Sequence, residues 1–170
     1  LLFTTSISKS SLIDDLYEKD QESRSEEMLS KGIYPSTEEE QEYRFSVFKL
    51  IVAGELKTPE QKFKAAMILQ HTNMKYCGKN LESVSIENYI LAHHLAKSAY
   101  ADGFKKAGWL AAATYDRYLD MQGLPQKYGT QYTVNEQTGE LSLENVDPST
   151  TAKKREELGL QTLPEITAWL

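Results

Sequence analysis

The chain has 170 residues, 40% of them hydrophobic and 26% charged, which is the profile of a folded globular protein and excludes a disordered one. Its formal net charge is −6 and its pI about 5.2; with no Lys/Arg stripe, no nucleic-acid partner is expected, and an acidic surface suits no anionic membrane. No apolar run approaches the ~20 residues of a membrane helix, and the one cysteine, Cys77, has no thiol to pair with and reads as a small filler in a turn.

The first predicted element is a helix from Ser10 to Leu29, where Leu12, Ile13, Leu16, Tyr17, Met28 and Leu29 roughly keep helical spacing, ended by Lys31-Gly32. A second starts at Thr37, whose hydroxyl and Glu40 form a capping box, carries Tyr43, Val47, Phe48, Leu50 and Ile51, and stops at Gly54. The third opens on the capping box Thr58-Pro59-Glu60-Gln61 and ends at Gln70-His71-Thr72-Asn73. Tyr76 to Leu81 reads as a loop. Helix four runs from Ser85 to Ala101 and breaks at Asp102-Gly103. Helix five runs from Phe104 to Gln122, looks buried all round, and ends at Gly123 and Pro125. Then the period changes: 131–134 and 140–143 flank Asn135 to Gly139 as a β-hairpin. A short helix, Ser149 to Leu158, and a last turn, Leu163 to Leu170, follow. The expected fold is mainly α, one domain over 1–170: a compact orthogonal bundle of roughly five or six helices with one small hairpin near the C-terminus. The opening Leu1 to Thr5 fits the remnant of a removed signal segment, which would mean a secreted or periplasmic protein, or an arbitrary chain start; the compartment stays open.

Polar residues inside apolar helices point to function, because a buried charge is costly unless paired. Asp116 and Arg117 sit in the most apolar helix and, as neighbours, diverge by about 100°. Each needs a partner from another segment, either in a structural ion pair, for instance Asp116 with Arg24 or Arg155 and Arg117 with Asp20, or in a ligand. His71 ends helix three and could act as general acid or base if a carboxylate orients it, or merely cap the helix. Gln126, Tyr128, Thr130 and Gln131 offer uncharged donors and acceptors in a turn fixed by Pro125 and Gly129. His93 and His94 diverge on their helix, and no HExxH or CxxC spacing occurs, so no metal is expected. GxGxxG, P-loop and GxSxG motifs are absent and no cofactor is implied.

Alanines 92, 96, 99, 107 and 111 around Gly103 resemble one unit of a Sel1-like helical repeat. The order of the polar pieces resembles a family of small, mainly bacterial proteins: Asp20, Gln21 and Arg24; Gln70-His71; Asp116-Arg117; Pro125, Gln126, Tyr128, Gly129, Thr130 and Gln131; then Arg155 and Leu158-Gly159-Leu160. That resemblance brings no reaction with it and implies only that these polar groups belong together.

One expected function is a small-ligand-binding protein, a cofactor-independent enzyme acting on a small polar substrate, with His71 and Asp116 as the acid/base pair. Arg24 or Arg117 would hold an anionic group, and Gln126, Tyr128, Thr130 and Gln131 would bind neutral polar atoms or a developing oxyanion. The alternative is a non-catalytic helical protein-interaction module whose polar cluster is structural, with a partner the sequence does not name; an immunity or toxin-associated role is a third.

Overall fold

In the computed structural model, residues 11–72, 74–77, 80–83, 85–135, 137–143 and 145–167 are described. Short polar side chains set the helix starts. Ser11 and Asp14 hydrogen-bond reciprocally at the head of α1 (Leu12–Glu22). Ser36 and Glu39 do so for α3 (Thr37–Val52), at 3.2 and 3.0 Å, and Thr58 and Gln61 for α4 (Pro59–Gln70), both at 3.1 Å. The cap of α3 therefore lies one residue earlier than expected. The difference matters, because Glu40 is released to face the core.

The first expected helix is two. Ser25 caps a separate short α2 (Glu26–Ser30), accepting from the Met28 amide, and the Ser23 hydroxyl donates to the Asp20 carbonyl at 2.8 Å. These local bonds compete with the helix ladder and break it. Gly32 and Gly54 then take φ of +69° and +63° at the ends of α2 and α3.

Helix α4 is central: it packs against α1, α3, α5 (Glu87–Ala101) and α6 (Ala107–Asp120). Alanines 92, 96, 99, 107 and 111, on the two helices α5 and α6 that pack together, are all buried. The core holds Ile13, Leu16, Val47, Leu50, Ile68, Leu69 and Leu110. Helix α6 is not buried all round: Trp109 is 52% exposed. The stretch read as a loop after α4 carries an antiparallel pair, β1 (Met74–Cys77) with β2 (Asn80–Ser83), because alternation too short to signal a strand on its own is completed by its partner. The expected hairpin is present as β3 (Thr133–Val134) on β4 (Leu141–Ser142). Helices α7 (Ala152–Glu156) and α8 (Leu163–Thr167) complete the chain; the rest of the expected last turn, and Leu1 to Thr5, lie outside the described residues.

Two features of the α5–α6 seam have measurable consequences. A Cβ on Gly108 would run into the Leu158 carbonyl oxygen, a backbone atom that cannot step aside. Gly108→Ala should therefore lower unfolding free energy by about 1–3 kcal/mol in urea titration despite alanine's better helix propensity; a stabilised variant would contradict the close approach. His93 is buried with Nδ1 2.7 Å from the Ala111 carbonyl, so Nδ1 carries the proton, and burial pushes the imidazole pKa down. The unfolded chain then takes up the proton first, so stability is full above ~6.5, the unfolded pKa, and is lost as pH falls below it. His93→Gln should destabilise the protein more at pH 7 than at pH 5; an equal loss at both pH values in thermal unfolding would contradict a neutral buried His93.

Candidate functional site

Asp116 is 0% exposed and faces the turn that follows α6. Its Oδ1 accepts from the backbone amides of Lys127 at 2.8 Å and Tyr128 at 2.9 Å. Its Oδ2 accepts from the amide of Thr130 at 2.9 Å and the Thr130 hydroxyl at 2.8 Å. Burial pushes the carboxyl pKa up, against the pull of these donors. The turn is closed from within by Gln126, whose Oε1 accepts from the amides of Thr130 and Gln131 at 2.9 and 2.8 Å and whose Nε2 donates to the Gln131 carbonyl at 2.9 Å. Gly129, at φ +67°, supplies the left-handed step. On the far side Gln126 bridges to Val146, with backbone bonds to Asn145 and Asp147 of 2.7 and 2.8 Å.

The Gly129–Thr130 peptide has charge on both sides. Its N–H points at Asp116, and its C=O accepts from Arg155 Nη1 at 3.4 Å. Arg155 is 2% exposed, donates through Nε to the Gln161 carbonyl at 2.5 Å, and is absent from the ion pairs among the described residues.

The turn delivers Gln131 to Arg117. Gln131 Nε2 donates to the Thr130 hydroxyl oxygen at 3.0 Å, and its Oε1 accepts from Arg117 Nε at 3.1 Å. Arg117 Nη1 donates to Gln70 Oε1 at 2.9 Å. Gln70 is the last residue of α4 and His71 is its cap. His71 Nδ1 lies 2.9 Å from both oxygens of Asp20; a carboxylate only accepts, so Nδ1 carries the hydrogen. Asp20 is 2% exposed and also accepts from Gln21 Nε2. Arg24 pairs with Asp20 at 3.5 Å and with Glu40, while Arg44 lies 3.8 Å from Glu40 and donates to the His71 carbonyl at 2.5 Å. Arg44, Thr72, Asn88, Phe45 and Phe48 line a pocket of about 420 Å³ beside this end of the chain of bonds.

The expected residues thus meet, but not as the expected ion pairs. Asp116 pairs with neither Arg24 nor Arg155, and Arg117 does not pair with Asp20, because backbone amides and glutamine side chains reach these charges first. Arg24 is held by two carboxylates. Tyr128 contributes its amide to Asp116, while its buried ring lies 6.2 Å from that of Tyr115. Arg117 makes no ion pair among the described residues, and burial pushes its guanidinium pKa down. Sequence reasoning did not assign Asp20 to His71, and it gave Glu40 to the cap of α3 rather than to Arg24 and Arg44. Asp20 is recognisable in hindsight: it follows Ile13 and Leu16 at spacings of three and four, on the buried stripe of α1. Among the described residues no three His, Cys, Asp or Glu side chains group as a metal site. No family model, curated protein or solved structure matches the chain.

Replacing Asp116 takes an acceptor from four donors at once, of which the Thr130 amide keeps another on Gln126. Asp116→Asn should lower unfolding free energy by about 1–3 kcal/mol, and Asp116→Ala by more, in urea denaturation followed by circular dichroism. A loss under ~0.5 kcal/mol, the level of an ordinary surface change, would contradict the role given to this carboxylate.

Proposed function

We propose that the protein binds a small polar anion at Arg117 and that His71, oriented by Asp20, acts on it as general acid or base. The observation that carries this is the pairing of a carboxylate-oriented histidine with an arginine whose described partners are neutral amide oxygens. With Nδ1–H bound to Asp20, the lone pair of neutral His71 lies on Nε2, the arrangement that suits proton abstraction. His71 is 19% exposed at its side chain, so solvent and solutes reach it. Arg117 keeps a full positive charge that Gln70 and Gln131 solvate without cancelling. Burying a cation without a counter-charge costs several kcal/mol, which a bound carboxylate or phosphate would offset.

The other residues take supporting roles. Asp116 has no free lone pair, since all four are engaged, so it positions the turn and touches no substrate. Gln126 and Thr130 belong to the same scaffold, and Gln131 is the arm that holds Arg117. Arg24 sets Asp20 and Glu40 rather than a ligand. The competing reading, a helical interaction module with a purely structural network, draws on this internal saturation of Asp116 and Gln126.

A titration of the ¹⁵N-labelled protein with succinate, inorganic phosphate and acetate separates the two. Saturable shifts centred on the Arg117 Nε–H and the Gln131 side-chain amide are expected, with affinity reduced at least about tenfold in Arg117→Gln. His71→Gln should retain binding and abolish turnover in a screen of small hydrolysable and eliminable anions. No saturable shift with any probe, or binding that ignores Arg117→Gln, would reject the proposal in favour of the interaction module.

A further inference from the structure

We infer that Arg155, at the floor of a separate pocket of about 450 Å³, is the anchor for an aromatic monocarboxylate. The pocket lies between the start of α6, the 129–132 segment, β4 and the 159–166 segment, and does not include His71 or Arg117. Its floor is polar: Arg155 beside Thr130. Its walls are Trp109, Tyr132, Leu160 and Ile166, and Leu141 stands among them, 45% exposed. The exposed indole of Trp109, set between the buried residues Gly108 and Leu110, forms one of those walls.

The charge on the floor defines the ligand. A guanidinium has five N–H donors. Nε of Arg155 is used on the Gln161 carbonyl and Nη1 on the Gly129 carbonyl, leaving Nη2 with no acceptor among the described residues. Both acceptors are neutral, so the cation has no contacting counter-ion there, and Asp116 acts on it only across the Gly129–Thr130 peptide. Burial pushes the guanidinium pKa down, as uncompensated charge should. A planar guanidinium fork matches a carboxylate. A single cation with apolar walls selects a single negative charge on an apolar body, not a polyphosphate. Aromatic walls favour a flat body, by stacking and edge-to-face contact. The volume is about three times the ~150 Å³ cavity that holds one benzene, room for a bicyclic acid.

The test uses 2-naphthoate as probe, neutral 2-naphthalenemethanol as its isostere, and calorimetry together with Trp fluorescence on the full chain. Saturable binding of the acid is expected, at least about tenfold tighter than the alcohol. Trp109→Ala should weaken both ligands, and Leu141→Glu, which puts a negative charge on an exposed residue of the pocket lining, should weaken the acid by a larger factor than the alcohol. Arg155→Lys should lose the preference for acid over alcohol if it folds; the Leu141→Glu comparison stands without it. Equal affinity for acid and alcohol, no saturable binding at millimolar probe, or indifference to Trp109→Ala would overturn the assignment. None of these outcomes depends on what binds at Arg117.

Discussion

A single buried carboxylate organises the C-terminal half of this protein. Asp116 sits in the most apolar stretch of the chain, where an unsatisfied charge would be very costly. Four donors from one short turn satisfy it, three of them backbone amides. Backbone donors are fixed once the turn is fixed, so the carboxylate and the turn define each other. Gly129 allows the chain to curl, Gln126 closes the curl from inside, and the Gly129–Thr130 peptide relays the negative charge towards Arg155. The charges of Asp116 and Arg155 are thus joined through a peptide dipole rather than by contact.

What this anchoring achieves is placement. Gln131 leaves the turn at a set angle and holds Arg117, and Arg117 reaches across to Gln70 at the end of α4. Because α4 touches α1, α3, α5 and α6, its C-terminus is a natural meeting point. His71 follows there, with Asp20 from α1 on its Nδ1 and Arg44 from α3 on its carbonyl. Two runs of polar contacts, Gln131–Arg117–Gln70 and His71–Asp20–Arg24–Glu40, therefore meet at the covalent Gln70–His71 step. Their charges are uneven: Asp20, Arg24, Glu40 and Arg44 neutralise one another, whereas Arg117 is solvated by amides alone among the described residues. The proposed anion site rests on that imbalance.

Much of the fold was legible because the relevant signals are local. Thr58-Pro59-Glu60-Gln61, Gly32, Gly54, Gly103 and Gly123 announce helix ends through backbone conformations that few other residues accept. The split of α1 from α2 was not legible, since it rests on the Ser23 and Ser25 side chains competing with the helix ladder, a balance that spacing does not reveal. The β1–β2 pair escaped because each strand has only four residues, too few to show a period without its partner. At the site, Asp116, Arg117, His71 and the 126–131 turn stood out as polar groups in apolar company. Their partners did not, because a residue's spacing tells which face it occupies and not which distant amide arrives there first. The exposure of Trp109 was hidden by its apolar neighbours in sequence.

The continuity of the network is open to direct measurement by a double-mutant cycle on Gln70→Leu and Gln131→Leu, read as unfolding free energy. Among the described residues the two glutamines share no hydrogen bond with each other, and both accept from Arg117. If Arg117 links the turn to α4, the two substitutions are coupled by roughly 0.5–3 kcal/mol. Losses that add within about 0.3–0.5 kcal/mol would mean two separate polar clusters and contradict the account.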